Sequence, residues 1–156
     1  MRNKKKITSL NGFVFLIVAI FLFTSCSLPA EEEDFRSNFQ IQLESGKAGL
    51  LGKLVNENEE PIEEEVIRLA KVIWSEDKTS ASFVIDGANS PSTISEEDGF
   101  LVFLNINPGD YVIVVRNIDI NPIVIPKSPD SNEAAVFTMI SNEILDVGII
   151  KINTGP

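Results

Sequence analysis

Two kinds of apolar patterning divide this chain. From Phe13 to Phe23, 11 residues run without a polar interruption, shortly after a basic stretch holding Arg2, Lys4, Lys5 and Lys6. From residue 48 onward, apolar positions come instead in short runs rich in β-branched and aromatic side chains, closed by turn residues every ~8 to 15 positions. These runs are 50–55, 81–85, 100–104, 111–115, 123–125, 135–137 and 147–152. Asn56 to Glu60, Asp86-Gly87, Asp98-Gly99 and Pro108-Gly109 punctuate them. The spacing predicts an all-β, Ig-like sandwich of about seven strands.

One segment admits two readings. Residues 61–74 begin on Pro61, carry Glu63, Glu64 and Glu65 in what would be a first helical turn, and have bases later. Ile62, Val66, Leu69, Ala70 and Ile73 would share one face of that helix. The same residues are rich enough in Val and Ile to form a strand. Local pattern alone leaves helix and strand open.

Between the long apolar run and the domain, residues 27–46 carry Pro29 and the acidic run Glu31 to Asp34, with few apolar partners. This composition predicts a solvated, extended tether. Phe39-Gln-Ile-Gln-Leu43 alternates as a short edge strand would. The organisation expected is a leader over 1–25, a tether over 26–47, a β-sandwich over 48–153 and a tail over 154–156.

The apolar run 13–23 is short for a membrane span, which needs about 20 residues, and has the length and basic flank of a secretory leader. It ends at Phe23-Thr24-Ser25-Cys26, which resembles a bacterial lipobox, with small residues before a cysteine. Phe23 stands where that class prefers leucine, an apolar exchange. The resemblance implies cleavage between Ser25 and Cys26 and a diacylglycerol on the Cys26 sulfur. Two or three acyl chains anchor durably, since each buried methylene contributes about 0.8 kcal/mol. The expected location is therefore the cell membrane or outer membrane, lipid-anchored, with the domain on the extracytoplasmic side.

Charge and composition prune the functions this domain could serve. The four bases before Cys26 leave nine in residues 26–156 against all 23 acids, a formal charge of −14. Nucleic acid, which calls for basic patches, is not an expected partner. Cys26 is the only cysteine, so no disulfide forms within the chain, and stability must come from an apolar core. With no histidine anywhere, Ser-His-Asp and Cys-His nucleophile systems and His-ligated zinc are excluded. Chemistry by a pair of carboxylates stays formally open.

Two stretches together resemble the carboxypeptidase regulatory-like family, which has a transthyretin-like (prealbumin-like) β-sandwich. The first is Gly52-Lys-Leu-Val55 with Pro61-Ile62 and Val66 to Leu69. The second, more specific, is Thr93 to Phe103 with its Asp98-Gly99 turn, followed by Pro108-Gly109-Asp110-Tyr111. The resemblance covers about 48–152 and favours strand for Val66 to Trp74. It implies architecture more than activity. Asp98-Gly99 is expected to form a hairpin turn, Pro108-Gly109 the centre of a type II turn, and Tyr111 a core ring with its hydroxyl on backbone or water. Trp74 is likewise expected in the core or at its rim. Isopeptide-forming domains of similar fold join a lysine to an asparagine beside a buried acid. Val114, Val115 and Arg116 occupy the neighbourhood of that acid here, so no such bond is expected.

Asp86, Asn89, Glu96 and Asp98 supply oxygen donors on loops, the ligand type of calcium, but none sits in an EF-hand pattern and turn formation explains them better. No cofactor is expected. The sequence therefore predicts a non-catalytic, lipid-anchored envelope module for binding, adhesion or scaffolding. Its partners would be the membrane through Cys26 and an envelope protein or glycan. A carbohydrate-binding module is the alternative, followed by a small carboxylate-based hydrolase.

Overall fold

The computed structural model describes residues 42–153. Ser25 and Cys26, with the leader, most of the tether and the tail 154–156, lie outside the described residues. Among the described residues there is no helix, and nine strands form two sheets. The strands are β1 Ala48–Val55, β2 Val66–Trp74, β3 Ala81–Val84, β4 Ser92–Ile94, β5 Phe100–Ile106, β6 Gly109–Val115, β7 Ile123–Val124, β8 Phe137–Met139 and β9 Ile144–Lys151.

The first sheet runs β5-β1-β9. The second runs β3-β2-β6-β7, with β4 also on β2 and β8 also on β6. Neighbours are antiparallel except β1 and β9, which pair in parallel. Side chains from both sheets meet in one core. Ala48, Leu50, Leu54, Leu101, Phe103, Ile150 and Ile152 come from the first sheet and the residue just beyond it; Ile67, Leu69, Tyr111, Ile113, Val115 and Met139 come from the second. All are buried, the arrangement that defines a sandwich.

Residues 66–74 are strand, and the reason they also read as helix is visible. Ile67 and Leu69 face the core between the sheets, while Ala70 and Val72 are buried on the opposite face of the same sheet. A strand covered on both sides loses its alternation and becomes a continuous apolar run. The other differences are local. β4, three residues long, has too little pattern to be read from sequence and is held by pairing with Val66, Ile67 and Arg68. The run expected at 135–137 becomes Phe137–Met139, because the Ala135 N–H is spent on the Ile125 carbonyl at 2.8 Å.

Both predicted turns are corners between sheets. The chain enters Asp98-Gly99 from β4 in the second sheet and leaves on β5 in the first, so the turn does not join two paired strands. Locally it is tight: Gly99 N–H donates to the Glu96 carbonyl at 2.8 Å and Phe100 N–H to Asp98 Oδ1 at 2.9 Å. Gly99 has φ +81°, and a Cβ there would fall on the Leu54 carbonyl oxygen, so only glycine fits. Pro108-Gly109 carries the chain back to the second sheet. Gly109, at φ +146°, is far from the roughly +80° of a type II turn and already opens β6. The Tyr111 hydroxyl braces this corner by donating to the Asn107 carbonyl at 2.9 Å, as in the tyrosine corner of Ig domains. Burial pushes that hydroxyl above its ordinary pKa.

Residues 44–47, at the end of the expected tether, bond to the same end of the domain. Glu44 N–H donates to Asn105 Oδ1, Gly46 N–H to Asn142 Oδ1 and Lys47 Nζ to Asn107 Oδ1, at 2.8 to 2.9 Å. The Lys47–Asn107 pair is exposed, and among the described residues no carboxylate bonds to either side chain.

Candidate functional site

The outward face of the second sheet carries the most site-like feature among the described residues. Strand parity sends Ala70, Val72 and Trp74 of β2 outward, and registry places Ala81 opposite Trp74 and Phe83 opposite Val72 on β3. On β6, Val112 and Val114 face the same way, and Ala70 pairs with Val112. Half of this face is covered: Ala70, Val72, Val112 and Val114 form a second buried cluster beneath Ile85, Val124 and Ala134. The other half opens into a groove of about 870 Å³ between the β2–β3 hairpin and residues 132–136. Val72 and Val112 floor it, Trp74, Phe83 and Val136 wall it, and Ser80 and Asn132 supply polar groups.

Trp74 is held in this position. Its Nε1–H donates to Asp110 Oδ2 at 2.7 Å, and Asp110 Oδ1 accepts from the Thr138 hydroxyl at 2.7 Å. The indole is 41% exposed, so of the two places expected for it, core or rim, it is outside the core. The physical reason is parity. Tyr111 pairs with Lys71 and faces the core, whereas Trp74 lies three residues beyond Lys71 and faces outward. The residue opposite it is only an alanine, too small to cover a ring.

Residues 75–80, which reach the groove through Thr79 and Ser80, form a tightly bonded loop. The Ser75 hydroxyl donates to Asp77 Oδ1 at 2.6 Å, and Thr79 N–H and its hydroxyl donate to the same carboxylate at 3.1 and 2.8 Å. The Ser75 bond, followed by those from Thr79, holds the Asp77 carboxyl down to about 2. Across the groove, Lys127 and Glu133 neutralise one another at 3.1 Å on the exposed rim.

Of the loop candidates for calcium, Asp86 and Asp98 spend carboxylate oxygens on neighbouring donors in their own turns. Asp86 accepts from the Asn89 side chain at 2.7 Å and from Ala88 and Asn89 N–H groups, which lowers its pKa, with the Asn89 side chain the largest cause. Asp98 caps Phe100, and Glu96 uses its backbone to close the turn. Among the described residues no group of three or more acidic, His or Cys side chains is placed to hold a metal, and no helix is long and apolar enough to cross a membrane.

A further oddity lies on the outward face. Arg68 of β2 has Nε and Nη1 buried without a hydrogen-bond partner. Sequence gives no sign of this, since an arginine on a strand reads as a solvated position. The groove was also not legible beforehand, because residues 127–136 have no periodicity that places them over the sheet.

The sequence matches no family model and no curated protein. Among solved structures, the chain is similar to BcpA, the major pilin subunit of Bacillus cereus, at 16% identity and TM-score 0.40, over 70% of this chain and 30% of that one. It is similar to the major pilin SpaD of Corynebacterium diphtheriae at 13% identity and TM-score 0.40, over 67% and 29%. It is also similar to catechol 1,2-dioxygenase of Pseudomonas arvilla C-1 at 9% identity and TM-score 0.34, over 75% and 56%. The chain thus spans under a third of each pilin. Likeness this loose leaves function to be argued from the groove's own residues.

Proposed function

We propose that this chain is a non-catalytic binding module of the bacterial envelope, anchored by diacylglycerol on Cys26, that engages its partner through the Trp74–Phe83 groove. The groove carries the reading: an open apolar floor with two aromatic side chains and a few convergent polar groups is the usual form of a recognition site. Exposed aromatics of this size rarely stand together on a soluble domain without a partner. The histidine-free sequence and the backbone-capping duties of Asp77, Asp86 and Asp98 support binding over catalysis.

Anchoring and recognition are separable by experiment. Cys26→Ser should abolish labelling by a radiolabelled fatty acid and leave the leader attached; normal processing and labelling in that variant would refute the anchor. Trp74→Ala in the full chain should keep the fold, read by circular dichroism, while the partner is lost from crosslinked envelope fractions. Unchanged crosslinks would remove the groove from the proposal.

A further inference from the structure

We infer that the groove's ligand is an uncharged saccharide chain, stacked on the face of Trp74. This rests on the groove being the binding site and goes further by naming the chemistry of its occupant.

Three observations converge. The first is the presentation of Trp74. Its polar edge is already satisfied by Asp110, and Asp110 is itself held by Thr138, so the ring is fixed without a ligand. Ala81 opposite leaves the ring uncovered. A flat, pre-positioned aromatic face suits the C–H face of a pyranose, whose slightly positive hydrogens meet the negative face of the π-system. Because the ring is already ordered, binding loses little side-chain entropy.

The second is charge. Among the groove's lining residues the only charged pair, Lys127 and Glu133, is self-neutralising, and the Asp110 carboxylate behind Trp74 is taken up by the indole N–H and the Thr138 hydroxyl. An anionic ligand would be repelled by the formal charge of −10. Electrostatic complementarity here means neutrality on both sides.

The third is the polar inventory. Ser80 and Asn132 line the groove, and neither side chain makes a hydrogen bond to a described residue. Each can both donate and accept, which matches sugar hydroxyls. A peptide's extended backbone would need a row of free N–H and C=O groups. Those of β2 and β6 beneath the groove are engaged in their mutual ladder, so a peptide could pair only along the outer edge of β3, which the peptide arm of the titration below tests.

Trp74 is the only tryptophan in the chain, so intrinsic fluorescence reports on this groove alone. The full mature lipoprotein, in a detergent without a sugar headgroup, is titrated with neutral glucan, mannan, galactan and chitin oligosaccharides to about 10 mM, well above the ~1 mM of weak specific association. The same titration is run with uncharged and basic decapeptides. At least one oligosaccharide should shift Trp74 emission saturably. Its affinity, read by calorimetry so that the fluorophore is not required, should fall at least tenfold in Trp74→Ala and severalfold in Asn132→Ala. Saturable binding of a peptide with no response to any saccharide would overturn the inference and leave the groove as a binding site. Silence from both series would overturn the inference and the groove reading together. Saccharide binding unchanged by Trp74→Ala in a folded protein would place the site elsewhere and overturn the inference as well.

Discussion

The two faces of the second sheet are made from the same strands and finished differently. Its inward face packs against β5-β1-β9 through Ile67, Leu69, Tyr111, Ile113 and Val115, down to the Tyr111 hydroxyl on Asn107, and only its β2–β3 end, with Ile73 and Val84, stays exposed. Its outward face is covered over one half, open over the other, and holds a half-buried arginine, Arg68, with two unmatched buried nitrogens. The dipeptide Asp110-Tyr111 serves both: Tyr111 points in and closes a corner, and Asp110 points out and fixes Trp74. A face that is complete serves stability. A face left incomplete is where binding can occur without dismantling the fold.

That contrast is most directly broken by truncating one aromatic on each side. Tyr111→Ala should cost about 3–5 kcal/mol in chemical denaturation, the range for a large buried aromatic. Trp74→Ala should cost far less, about 1 kcal/mol, because much of its area is exposed and its single polar bond lies at the surface. Equal losses would mean the outward face is as structural as the inward one.

A finer cut is Tyr111→Phe, which keeps the ring and removes only the donor to Asn107. The expected loss is about 1 kcal/mol, and more if the carbonyl is left without water. A loss near zero would show that the corner is held by packing and by Gly109 alone.

On the outward face, Arg68→Met should be neutral or stabilising, because it replaces two buried, unmatched nitrogens by an apolar side chain of similar length. A clear destabilisation would show that the guanidinium has an acceptor in solution.

The smallest effect belongs to acid. Asp77 has its pKa depressed from 3.8 to about 2, so its contribution is present above pH 3.8 and is lost as pH falls toward about 2. Because Asp77 is exposed and screened, global stability should hardly respond. The local loop should: Trp74 emission should change between pH 4 and 2 in the native chain and lose that transition in Asp77→Asn.

Much of the inward face was legible in the sequence, and little of the outward face was. Runs such as 100–104 and 111–115 announce strands because sheet pairing and burial both demand Val, Ile and Phe. Gly99 announces a turn because its conformation excludes other residues. Whether Trp74 lies in the core or at its rim is something composition cannot reveal: its direction depends on the registry of β2 with β6, between residues 40 to 48 positions apart, which only pairing establishes. The corners were read as turns but not as crossings between sheets, since a turn's local chemistry does not record which sheet its flanking strands join.

The parallel pairing of β1 with β9 has a mechanical consequence. β1 leaves residue 47 and β9 ends at residue 151, and because the strands run the same way these two points lie at opposite ends of one ladder. A pull between them drives the strands past each other along their length, so the bonds of each block resist together and cannot unzip singly. The bulge at Val147 and Gly148 divides that ladder into two blocks, Gly49 to Leu51 and Lys53 to Val55. Such a domain would stretch little under tension, and its first yield would come at the bulge, where Gly52 leaves no room for a larger side chain.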